Sequence, residues 1–311
     1  MPEGPEVKRC SEFFIPFIKK ELKEAVSLSD KGKFKDTPFN LLNGKTLKRV
    51  DVKGKVIVLR FGDISAISTL GMAGWWYPSV DQISQEIRER KVYYLGKMIE
   101  ISEVIQKAIN VARFKLSFEN GDLYYCDQRN FGNFKIVSNE EADNKLNDLG
   151  LDVLMYTEQQ RHSGECTKLA KAYIERFPNK TIGEALLDQS LFCGIGNIYR
   201  AESLYLAGMH PARKLSTIGP REIAYIIGIA NYVLMNAYVT ESTMAYKISD
   251  LNMIIHHPDN KEQLEKALQI NSEAVCIGHL VYGRSVDIFG RTVSTSNIGG
   301  RTSWYVKDTQ F

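Results

Sequence analysis

The sequence is poor in the residues that hold disulfide frameworks and metal ions. Its 311 residues include only five cysteines and five histidines, and no two cysteines stand in the CxxC spacing of a structural zinc site. The cysteines are odd in number and scattered, which indicates a reducing compartment. They are Cys10, Cys126, Cys166, Cys193 and Cys276. The sequence therefore predicts no disulfide, no metal site and no cofactor.

Long apolar runs are also missing. The first residues are charged and lack the apolar stretch of a signal peptide. The longest apolar segment, around Ile223–Tyr238, is interrupted by Asn231 and Asn236. Such a segment is too short and too polar to span a bilayer. We therefore expect an intracellular protein, nuclear or cytoplasmic, that does not bind membranes.

The third thing the chain lacks is an excess of charge. The formal net charge is only +3, so overall charge does not mark a nucleic-acid-binding protein, and only local clusters could. GxSxG, HExxH and P-loop patterns are absent, which disfavours a generic hydrolase. With 44% hydrophobic and 25% charged residues, the composition is that of an ordinary globular protein. The length suggests two domains, or one domain with an appendage.

What the chain does have starts at its N-terminus, Met1-Pro2-Glu3-Gly4-Pro5-Glu6. If Met1 is removed, proline comes first and its nitrogen is a secondary amine. An α-amino group has a reference pKa of about 8, so much of it is unprotonated near neutral pH. When such an amine attacks an aldehyde-level carbon it gives an iminium ion, an electron sink suited to Schiff-base catalysis and elimination. Glu3 supplies a carboxyl for proton transfer, and Glu6 can hydrogen-bond to the site or order the first helical turn.

The first half of the chain reads as a helix followed by short strands. Residues 1–20 carry an apolar face at helical spacing. From about residue 43 to 137, short apolar segments alternate with tight turns, which predicts an antiparallel sandwich in an α+β fold. The predicted strands are Thr46–Val52, Lys55–Phe61, Ile64–Thr69, Tyr93–Ile101, Phe114–Phe118, Asp122–Asp127 and Asn133–Val137.

After about residue 148 the apolar period becomes helical. Thr181 and Glu184 form the pattern of a capping box. The predicted helices are Thr167–Arg176, Thr181–Asp188, Ile198–Ala207, Arg221–Thr240 and Glu262–Leu268, with a loop at Asp250–Asn260 and a strand-like tail from 279. We therefore divide the chain into an N-terminal sandwich domain (1–148), a helical domain (149–278) and a C-terminal hairpin (279–311).

A glycine-rich turn, Gly194-Ile195-Gly196-Asn197, leads into one of these helices. Exposed backbone N–H groups at a helix N-terminus favour a phosphate. Asn197 can donate its amide to the same phosphate or cap the helix. The local charge is mildly positive, because the side chains of Arg200, Arg213 and Lys214 outweigh Glu202.

Several of these segments, in this order, resemble the formamidopyrimidine-DNA glycosylase / endonuclease VIII family. The N-terminal string PEGPEV carries the first resemblance. The segment from Thr181 to Glu202 resembles the family's helix–two-turn–helix motif. Val281-Tyr282-Gly283-Arg284 and the hairpin around Arg301 resemble the family's C-terminal zinc finger. Because the zinc cysteines are missing, the tail resembles the zincless finger of the Nei-like branch, with Trp304 and Tyr305 in its core.

The resemblance implies how further residues contact DNA. Lys55, in a glycine–lysine hairpin, would be a catalytic residue that binds a phosphate beside the lesion and supports proton transfer, with Lys53 as the rival candidate. Met72, between the two glycines of Leu70-Gly71-Met72-Ala73-Gly74, is expected at an exposed tip that fills the hole left by a flipped nucleotide.

Two more DNA contacts follow from the same resemblance. Arg129 and Phe131, in Asp127-Gln128-Arg129-Asn130-Phe131-Gly132, stand two residues apart, and on an extended chain they would point the same way. They would contact the orphaned base and its neighbour. Arg301 would bind a phosphate, with Arg291 as its rival.

The function that the resemblance implies is that of a bifunctional DNA glycosylase and AP lyase. Pro2 would attack C1′ of the damaged nucleotide, assisted by Glu3, in DNA held between the sandwich and the helical domain. The zincless tail favours oxidised pyrimidines and hydantoins as substrates. The three residues expected to fill the space of the flipped nucleotide (the wedge residues Met72, Arg129 and Phe131) favour oxidised purines. The alternative is a nucleic-acid-binding relative without catalysis, although such a protein would not need Pro2 or Glu3. The expected partner is damaged duplex or single-stranded DNA, bound by a monomer.

Overall fold

The computed structural model describes residues 1–29, 32–94, 97–241, 244–247, 275–307 and 309–310. The chain divides into two compact units. Unit 1 comprises Met1–Pro2 and Val7–Asn147, and unit 2 comprises Glu3–Glu6 and Asp148–Phe311. The proposed domain limits, with a separate module from residue 279, stay predictions. The predicted helix Glu262–Leu268 and the predicted loop Asp250–Asn260 lie outside the described residues.

Unit 1 is an antiparallel sandwich. Its described residues form ten strands: β1 (Leu22–Ser27), β2 (Arg49–Lys53), β3 (Val56–Arg60), β4 (Ile64–Thr69), β5 (Trp75–Pro78), β6 (Lys91–Tyr94), β7 (Lys97–Glu100), β8 (Phe114–Phe118), β9 (Gly121–Cys126) and β10 (Asn133–Ser138). One sheet has the order β1-β8-β9-β5 and the other β10-β4-β3-β2, while β6 pairs with β7. The predicted α+β fold with an antiparallel sandwich is confirmed.

The core of the sandwich is aromatic. Burial alternates along β8, as expected of a strand with one face in a core, and all five residues of β3 are buried. Trp76, Phe114 and Tyr125 lie with ring centroids 4.9–5.2 Å apart. Trp76 meets the other two rings edge to face, an arrangement that aromatic pairs prefer, and Phe114 stacks on Tyr125. The helix α1 (Gly4–Glu12) adds Val7 and Cys10 to this core.

Two predictions for unit 1 need correction. The helix predicted over residues 1–20 ends at Glu12, and a short 3-10 turn at Ile15–Phe17 follows, because Pro16 has no N–H and disfavours helical backbone before it. The strand predicted at Tyr93–Ile101 is the pair β6 and β7. Two helices beside this pair were not predicted. The single-turn α2 (Gln85–Arg88) precedes it, and α3 (Ile101–Ile109) follows it.

Other elements of unit 1 were also missed, namely β1, β5 and the helix α4 (Asn139–Asn147). The remaining predicted strands are confirmed within a few residues at each end. In the β2–β3 hairpin, Gly54 takes a φ of 55°, which is typical of the tight turns that connect antiparallel strands.

Unit 2 is mainly helical. Its described helices are α5 (Glu158–Ser163), α6 (Glu165–Arg176), α7 (Ile182–Ala185), α8 (Asn197–Leu206) and α9 (Pro220–Val239). Its described strands form three pairs: β11 (Leu151–Asp152) with β12 (Phe192–Cys193), β13 (Ala245–Lys247) with β14 (Val275–Ile277), and β15 (Ser294–Ile298) with β16 (Arg301–Tyr305). The last pair is the predicted C-terminal hairpin.

The start of α7 confirms the predicted capping box. The Thr181 hydroxyl accepts from the Glu184 N–H at 3.2 Å, and the Glu184 carboxylate accepts from the Thr181 N–H at 2.8 Å. The helix is shorter than predicted, because the chain turns after Ala185. There the Asp188 carboxylate accepts from the N–H of Ser190 at 3.1 Å, a local bond that competes with helix continuation.

The helix α9 lies at the centre of unit 2, where α6 and α8 pack against it. Asn231 is buried and donates its amide to the carbonyls of Val153 and Leu154 at 2.8 and 3.1 Å. Among the described residues α9 is the one helix that is long and apolar enough to cross a membrane, and half of its apolar window is buried inside the protein. Core helices of globular proteins have the same length and composition.

Candidate functional site

The Glu3 carboxylate lies at the N-terminus of α8. Glu3 is 1% exposed, and its two carboxylate oxygens accept from the backbone N–H groups of Ile198 at 3.0 Å and Tyr199 at 3.3 Å. The positive end of the helix therefore binds this carboxylate and fixes its position. Pro2 directly precedes Glu3 in the chain. The structure includes Met1, so the Pro2 nitrogen is here a peptide nitrogen.

Glu6 makes both kinds of contact that the sequence analysis considered for it. One carboxylate oxygen accepts from the Glu3 N–H at 2.9 Å, which orders the first turn of α1, and the other accepts a short hydrogen bond from the Tyr199 hydroxyl. Burial, followed by the nearby Glu6 carboxylate, raises the pKa of Tyr199 far above its usual value. The hydroxyl therefore stays protonated and donates to Glu6. Glu3, Glu6 and Tyr199 form one connected network.

The glycine turn before α8 does not have the exposure that was expected. Gly194 and Gly196 are buried, and the Gly194 N–H donates to the Gln189 side chain at 3.1 Å. A Cβ on Gly196 would lie 2.2 Å from Cδ of Glu3. The expected exposure is therefore wrong, and contact of these glycines with a phosphate stays a prediction. Gly196 leaves room for the Glu3 carboxylate to approach α8, so that the helix N-terminus binds an anion of the protein itself.

Asn197 is the first residue of α8 and is 9% exposed. Its amide nitrogen donates to the Thr302 carbonyl at 2.9 Å, and its oxygen accepts from Arg200 at 2.6 Å. Arg200 and Glu202 are both fully buried. Neither side chain faces solvent, so the mildly positive charge inferred for this segment comes at the surface from Arg213 and Lys214.

Arg301 and its rival differ clearly in their surroundings. Arg301 is exposed at the start of β16, next to Gly299 and Gly300, whose φ values are 61° and 72°. Arg291 instead pairs with the buried Asp287 at 2.7 Å and donates to the Tyr205 hydroxyl at 3.0 Å. Arg291 therefore holds the tail together and Arg301 is the better candidate for DNA contact.

The two aromatic residues predicted for the core of the tail are both packed. Tyr305 is 7% exposed, and Trp304 packs against the core of unit 2, with its ring centroid 4.3 Å from that of Tyr282.

Lys55 lies in the two-residue turn between β2 and β3 and is half-buried. Its rival Lys53 donates to the Leu146 carbonyl, near the end of α4, at 3.0 Å. That bond is typical of a lysine at a helix C-terminus. The structure therefore gives Lys53 a contact with α4, and Lys55 stays the predicted candidate.

Met72 is half-buried in the turn between β4 and β5, and the exposed residue of this turn is Ala73. The expectation of a freely exposed methionine tip is therefore wrong. Gly71, with a φ of 59°, lies against the backbone of the segment that contains Arg129 and Phe131. A Cβ on Gly71 would lie only 2.4 Å from the Gly132 nitrogen. The two turns are thus packed together.

The segment around Arg129 and Phe131 is a turn and not an extended strand. The buried Asp127 accepts from the N–H groups of Asn130 at 3.0 Å and Gly132 at 2.7 Å, and Asn130 has a φ of 56°. The argument that Arg129 and Phe131 point the same way on extended chain is therefore wrong. Both side chains are nevertheless exposed, Phe131 by 63%.

The predicted residues thus fall in two sets. Unit 1 contains Pro2, Lys55, Met72, Arg129 and Phe131, and unit 2 contains Glu3, Glu6, Gly194, Gly196, Asn197 and Arg301. In the part of the chain that the structure describes, no group of three or more His, Cys, Asp or Glu side chains could hold a metal.

Sequence reasoning missed three residues that organise these sets, Asp127, Tyr199 and Arg200. The spacing of Arg200 three residues after Asn197, on one helix face, was a usable signal.

Comparison with known proteins gives two family matches. The formamidopyrimidine-DNA glycosylase N-terminal domain matches residues 1–134, and the formamidopyrimidine-DNA glycosylase H2TH domain matches residues 155–249. The formamidopyrimidine-DNA glycosylase of Symbiobacterium thermophilum is 26% identical over 249 residues, 78% of this chain and 72% of that protein. That of Aliivibrio fischeri is 23% identical over 314 residues, 100% of this chain and 98% of that protein.

Solved structures show the same fold. Lactococcus lactis formamidopyrimidine-DNA glycosylase, non-covalently bound to DNA that contains an AP site, has a TM-score of 0.68 at 20% identity, with 99% of each chain covered. MutM in complex with DNA that contains carbocyclic 8-oxo-G has a TM-score of 0.69 at 19% identity and covers 100% of each chain.

A sandwich unit followed by a helix–two-turn–helix unit, with matches to both family domains, defines an enzyme of base excision repair, a DNA glycosylase. The chain belongs to the formamidopyrimidine-DNA glycosylase / endonuclease VIII family.

Proposed function

We propose that this protein is a bifunctional DNA glycosylase and AP lyase that acts through its N-terminal proline. The observation that carries the proposal is the fixed position of the Glu3 carboxylate, directly after Pro2 in the chain, on the N–H groups of Ile198 and Tyr199. A carboxylate that is buried and held at a helix N-terminus is preorganised for proton transfer beside the nucleophile.

In this mechanism the nitrogen of Pro2, freed by removal of Met1, attacks C1′ of the damaged nucleotide. The bond between C1′ and the base breaks, and the base leaves with its electron pair and takes up a proton. Glu3 takes up the proton that the Pro2 nitrogen loses and donates it to the sugar ring oxygen. The bond between C1′ and the ring oxygen then breaks, the ring opens, and an iminium ion forms between Pro2 and C1′. Elimination of the 3′ phosphate and then of the 5′ phosphate leaves a one-nucleotide gap.

We propose that the remaining predicted residues bind the DNA. The phosphate contacts would come from Lys55, Asn197 and Arg301. Contacts to the phosphates of the DNA backbone position a protein on DNA without reading its sequence. Met72, Arg129 and Phe131 would occupy the space that the flipped nucleotide leaves. The exposure of Arg129, Phe131 and Arg301 supports this assignment.

Two signals bear on the class of lesion. The tail without a zinc-cysteine pattern favours oxidised pyrimidines and hydantoins, which remain our prediction from the sequence. Oxidised purines are the second candidate, because the relatives are named formamidopyrimidine-DNA glycosylase. Damaged DNA as partner places the protein in a compartment that contains DNA. The choice between nucleus and cytoplasm, the monomeric state and the independence from metal stay predictions.

Borohydride trapping tests the mechanism. Protein whose Met1 is confirmed absent is incubated with oligonucleotides that carry an abasic site, a dihydropyrimidine, a hydantoin or 8-oxoguanine. We expect a covalent adduct that the Pro2→Gly variant does not form, and the ranking of lesions gives the substrate class. Lesion processing that is unchanged in Pro2→Gly would overturn the mechanism. DNA binding without an adduct on any substrate would favour the non-catalytic alternative.

A further inference from the structure

Arg200, in α8, is a fully buried cation with an unusual set of partners. Its guanidinium donates to the carbonyls of Gly183 at 3.3 Å and Ile298 at 3.2 Å. It also donates to the side-chain oxygen of Asn197 at 2.6 Å and to the carbonyl of Thr302 at 3.2 Å. One side chain thus joins α7, α8 and both strands of the β15–β16 hairpin.

All four of these acceptors are neutral oxygens. Burial lowers the pKa of Arg200 to about 10, the Glu3 carboxylate opposes this effect, and the charge of Arg301 adds to it. Burying a guanidinium without a carboxylate in contact is costly, and an apolar side chain of similar volume would fill the core at less cost. The position therefore uses what only arginine has, a planar fork whose two terminal nitrogens donate to four acceptors at once.

The acceptors of this fork surround the turn that carries Arg301. Ile298 is the last residue of β15 and Thr302 the second residue of β16, so the two strands are held on either side of Gly299, Gly300 and Arg301. Glycines leave a turn conformationally free, and the two hydrogen bonds to its flanks restrict it. The orientation of the exposed Arg301 thus depends on a residue buried beneath it.

The same guanidinium fixes Asn197. Because its side-chain oxygen accepts from Arg200, the amide nitrogen must point away, and one of its two N–H groups donates to the Thr302 carbonyl. These two hydrogen bonds fix the plane of the Asn197 amide, and with it the direction of its second N–H group, which we assign to a phosphate. Arg200 therefore controls the geometry of both residues that we assign to phosphate contact in unit 2.

We propose that Arg200 is a positioning residue for DNA binding, which holds Asn197 and Arg301 in register for phosphates of the DNA backbone. The inference rests on the proposed function, in which these two residues bind DNA. Arg200 itself is buried and touches no DNA. Its effect on binding must then pass through its neighbours, above all through Arg301.

A double-mutant cycle tests this. Affinity for a duplex with a tetrahydrofuran abasic analogue is measured for the wild type, Arg200→Met, Arg301→Ala and the double variant, at several salt concentrations. We expect each single variant to lose affinity by about tenfold. The double variant should lose no more than about twofold beyond Arg301→Ala alone, because the shared contact is already gone. Each should lower the salt slope by about one phosphate.

The matched control is Arg291→Lys. Arg291 also lies in the tail and pairs with a buried residue, Asp287, and none of its described hydrogen bonds reaches the turn at Gly299–Arg301. This variant should lower the melting temperature and leave the DNA affinity and the salt slope unchanged. If it changed them as Arg200→Met does, a general loss of tail stability would explain the effect and the inference would be overturned.

The other outcomes are equally decisive. Losses that add fully in the double variant, or an unchanged affinity in folded Arg200→Met, would overturn the positioning role. An unchanged affinity in Arg301→Ala would instead remove Arg301 from the proposed DNA contacts, and the inference with it. If Arg200→Met does not fold, Arg200→Lys, which keeps the charge but not the planar fork, replaces it in the same cycle.

Discussion

At the scale of single residues, the N-terminus of α8 is used by a side chain of the protein itself. Helix N-termini attract anions, and a glycine turn before a helix is commonly read as a phosphate site. Here the backbone N–H groups of Ile198 and Tyr199 hold the Glu3 carboxylate, and Gly196 leaves the space for it. The same sequence signal thus serves the carboxylate that we propose to be catalytic, and in our proposal phosphate binding passes to side chains.

Replacing Glu3 by Gln tests its proton-transfer role. The amide cannot transfer a proton, so we expect base excision to fall by on the order of 100-fold or more. The fold should persist, since the amide oxygen can still accept from α8, and binding to the tetrahydrofuran duplex should be retained. Single-turnover excision, the dissociation constant and the melting temperature are the measurements.

The control for Glu3→Gln is Glu222→Gln. The Glu222 carboxylate also accepts a backbone N–H at the start of a helix, that of Gly219 at 2.7 Å, but it has no place in the proposed chemistry. It should change stability and leave excision unchanged. Excision by Glu3→Gln at the wild-type rate would show that this carboxylate takes no part in proton transfer.

At the scale of elements, two turns of unit 1 form a single packed feature. The turn with Met72 and the turn with Arg129 and Phe131 meet through glycines, because Gly71 lies against the backbone of Gly132. Asp127 holds the second turn through two backbone N–H groups, and Arg113 donates to its carbonyl at 2.8 Å. The predicted wedge residues are therefore presented by a rigid base.

Gly132→Ala should displace this base. A Cβ at this position would lie 1.7 Å from the Tyr125 hydroxyl and 2.7 Å from the Thr69 carbonyl, which themselves share a hydrogen bond at 3.0 Å. We expect a destabilisation of about 1–3 kcal/mol from this overpacking, together with weaker binding to the tetrahydrofuran duplex. Chemical denaturation and a binding titration measure the two effects.

Gly228→Ala is the matched glycine substitution. Gly228 lies inside α9, where an added Cβ meets no atom within 4 Å apart from the adjacent residues and the nearby backbone of the helix itself. Alanine favours a helix over glycine by about 0.5–1 kcal/mol, so this variant should be slightly more stable and bind DNA normally. A Gly132→Ala variant as stable as the wild type would show that Tyr125 moves aside freely. That result would contradict a rigid base beneath the predicted wedge residues.

Elements were predictable where one local pattern dominates. The strands at Ile64–Thr69 and Phe114–Phe118 have the predicted bounds, since each ends at a turn signal and is apolar or alternates. The helix α3 was missed although Ile101, Ile105 and Ala108 have helical spacing, because the strand pattern before it was extended too far. The turn at Asp127–Gly132 was misread because side-chain bonds to the backbone decide its shape.

At the scale of the whole molecule, the order of motifs along the chain predicted the fold, whereas long-range contacts did not follow from it. The spacing from Asn197 places Arg200 on the same helix face, but no local pattern shows that Arg200 is fully buried and bonded to both strands of the β15–β16 hairpin. Likewise, a sequence pattern cannot show that Glu3–Glu6 belong to unit 2 while the rest of α1 belongs to unit 1. The burial of Arg200 and the place of Glu3–Glu6 in unit 2 depend on contacts between residues that lie more than a hundred positions apart in the sequence.

The attachment of the tail to α8 leads to a prediction about metal. The Glu202 carboxylate accepts from the N–H groups of Leu280 at 2.6 Å, Val281 at 3.0 Å and Tyr282 at 2.8 Å. Asp287 binds Arg291 and the Tyr205 hydroxyl. With these buried ionic and polar contacts, the hairpin has the attachment that a structural zinc ion gives to small metal-dependent domains.

We therefore expect EDTA to change neither the melting temperature nor the affinity for abasic-site DNA, and elemental analysis to find no stoichiometric zinc. Glu202→Gln, which places an amide opposite three backbone donors, should in contrast cost about 1–3 kcal/mol of stability. It should do so equally with and without EDTA. Domains that depend on structural zinc unfold when the metal is removed, so bound zinc together with a melting temperature that falls in EDTA would refute the zincless tail.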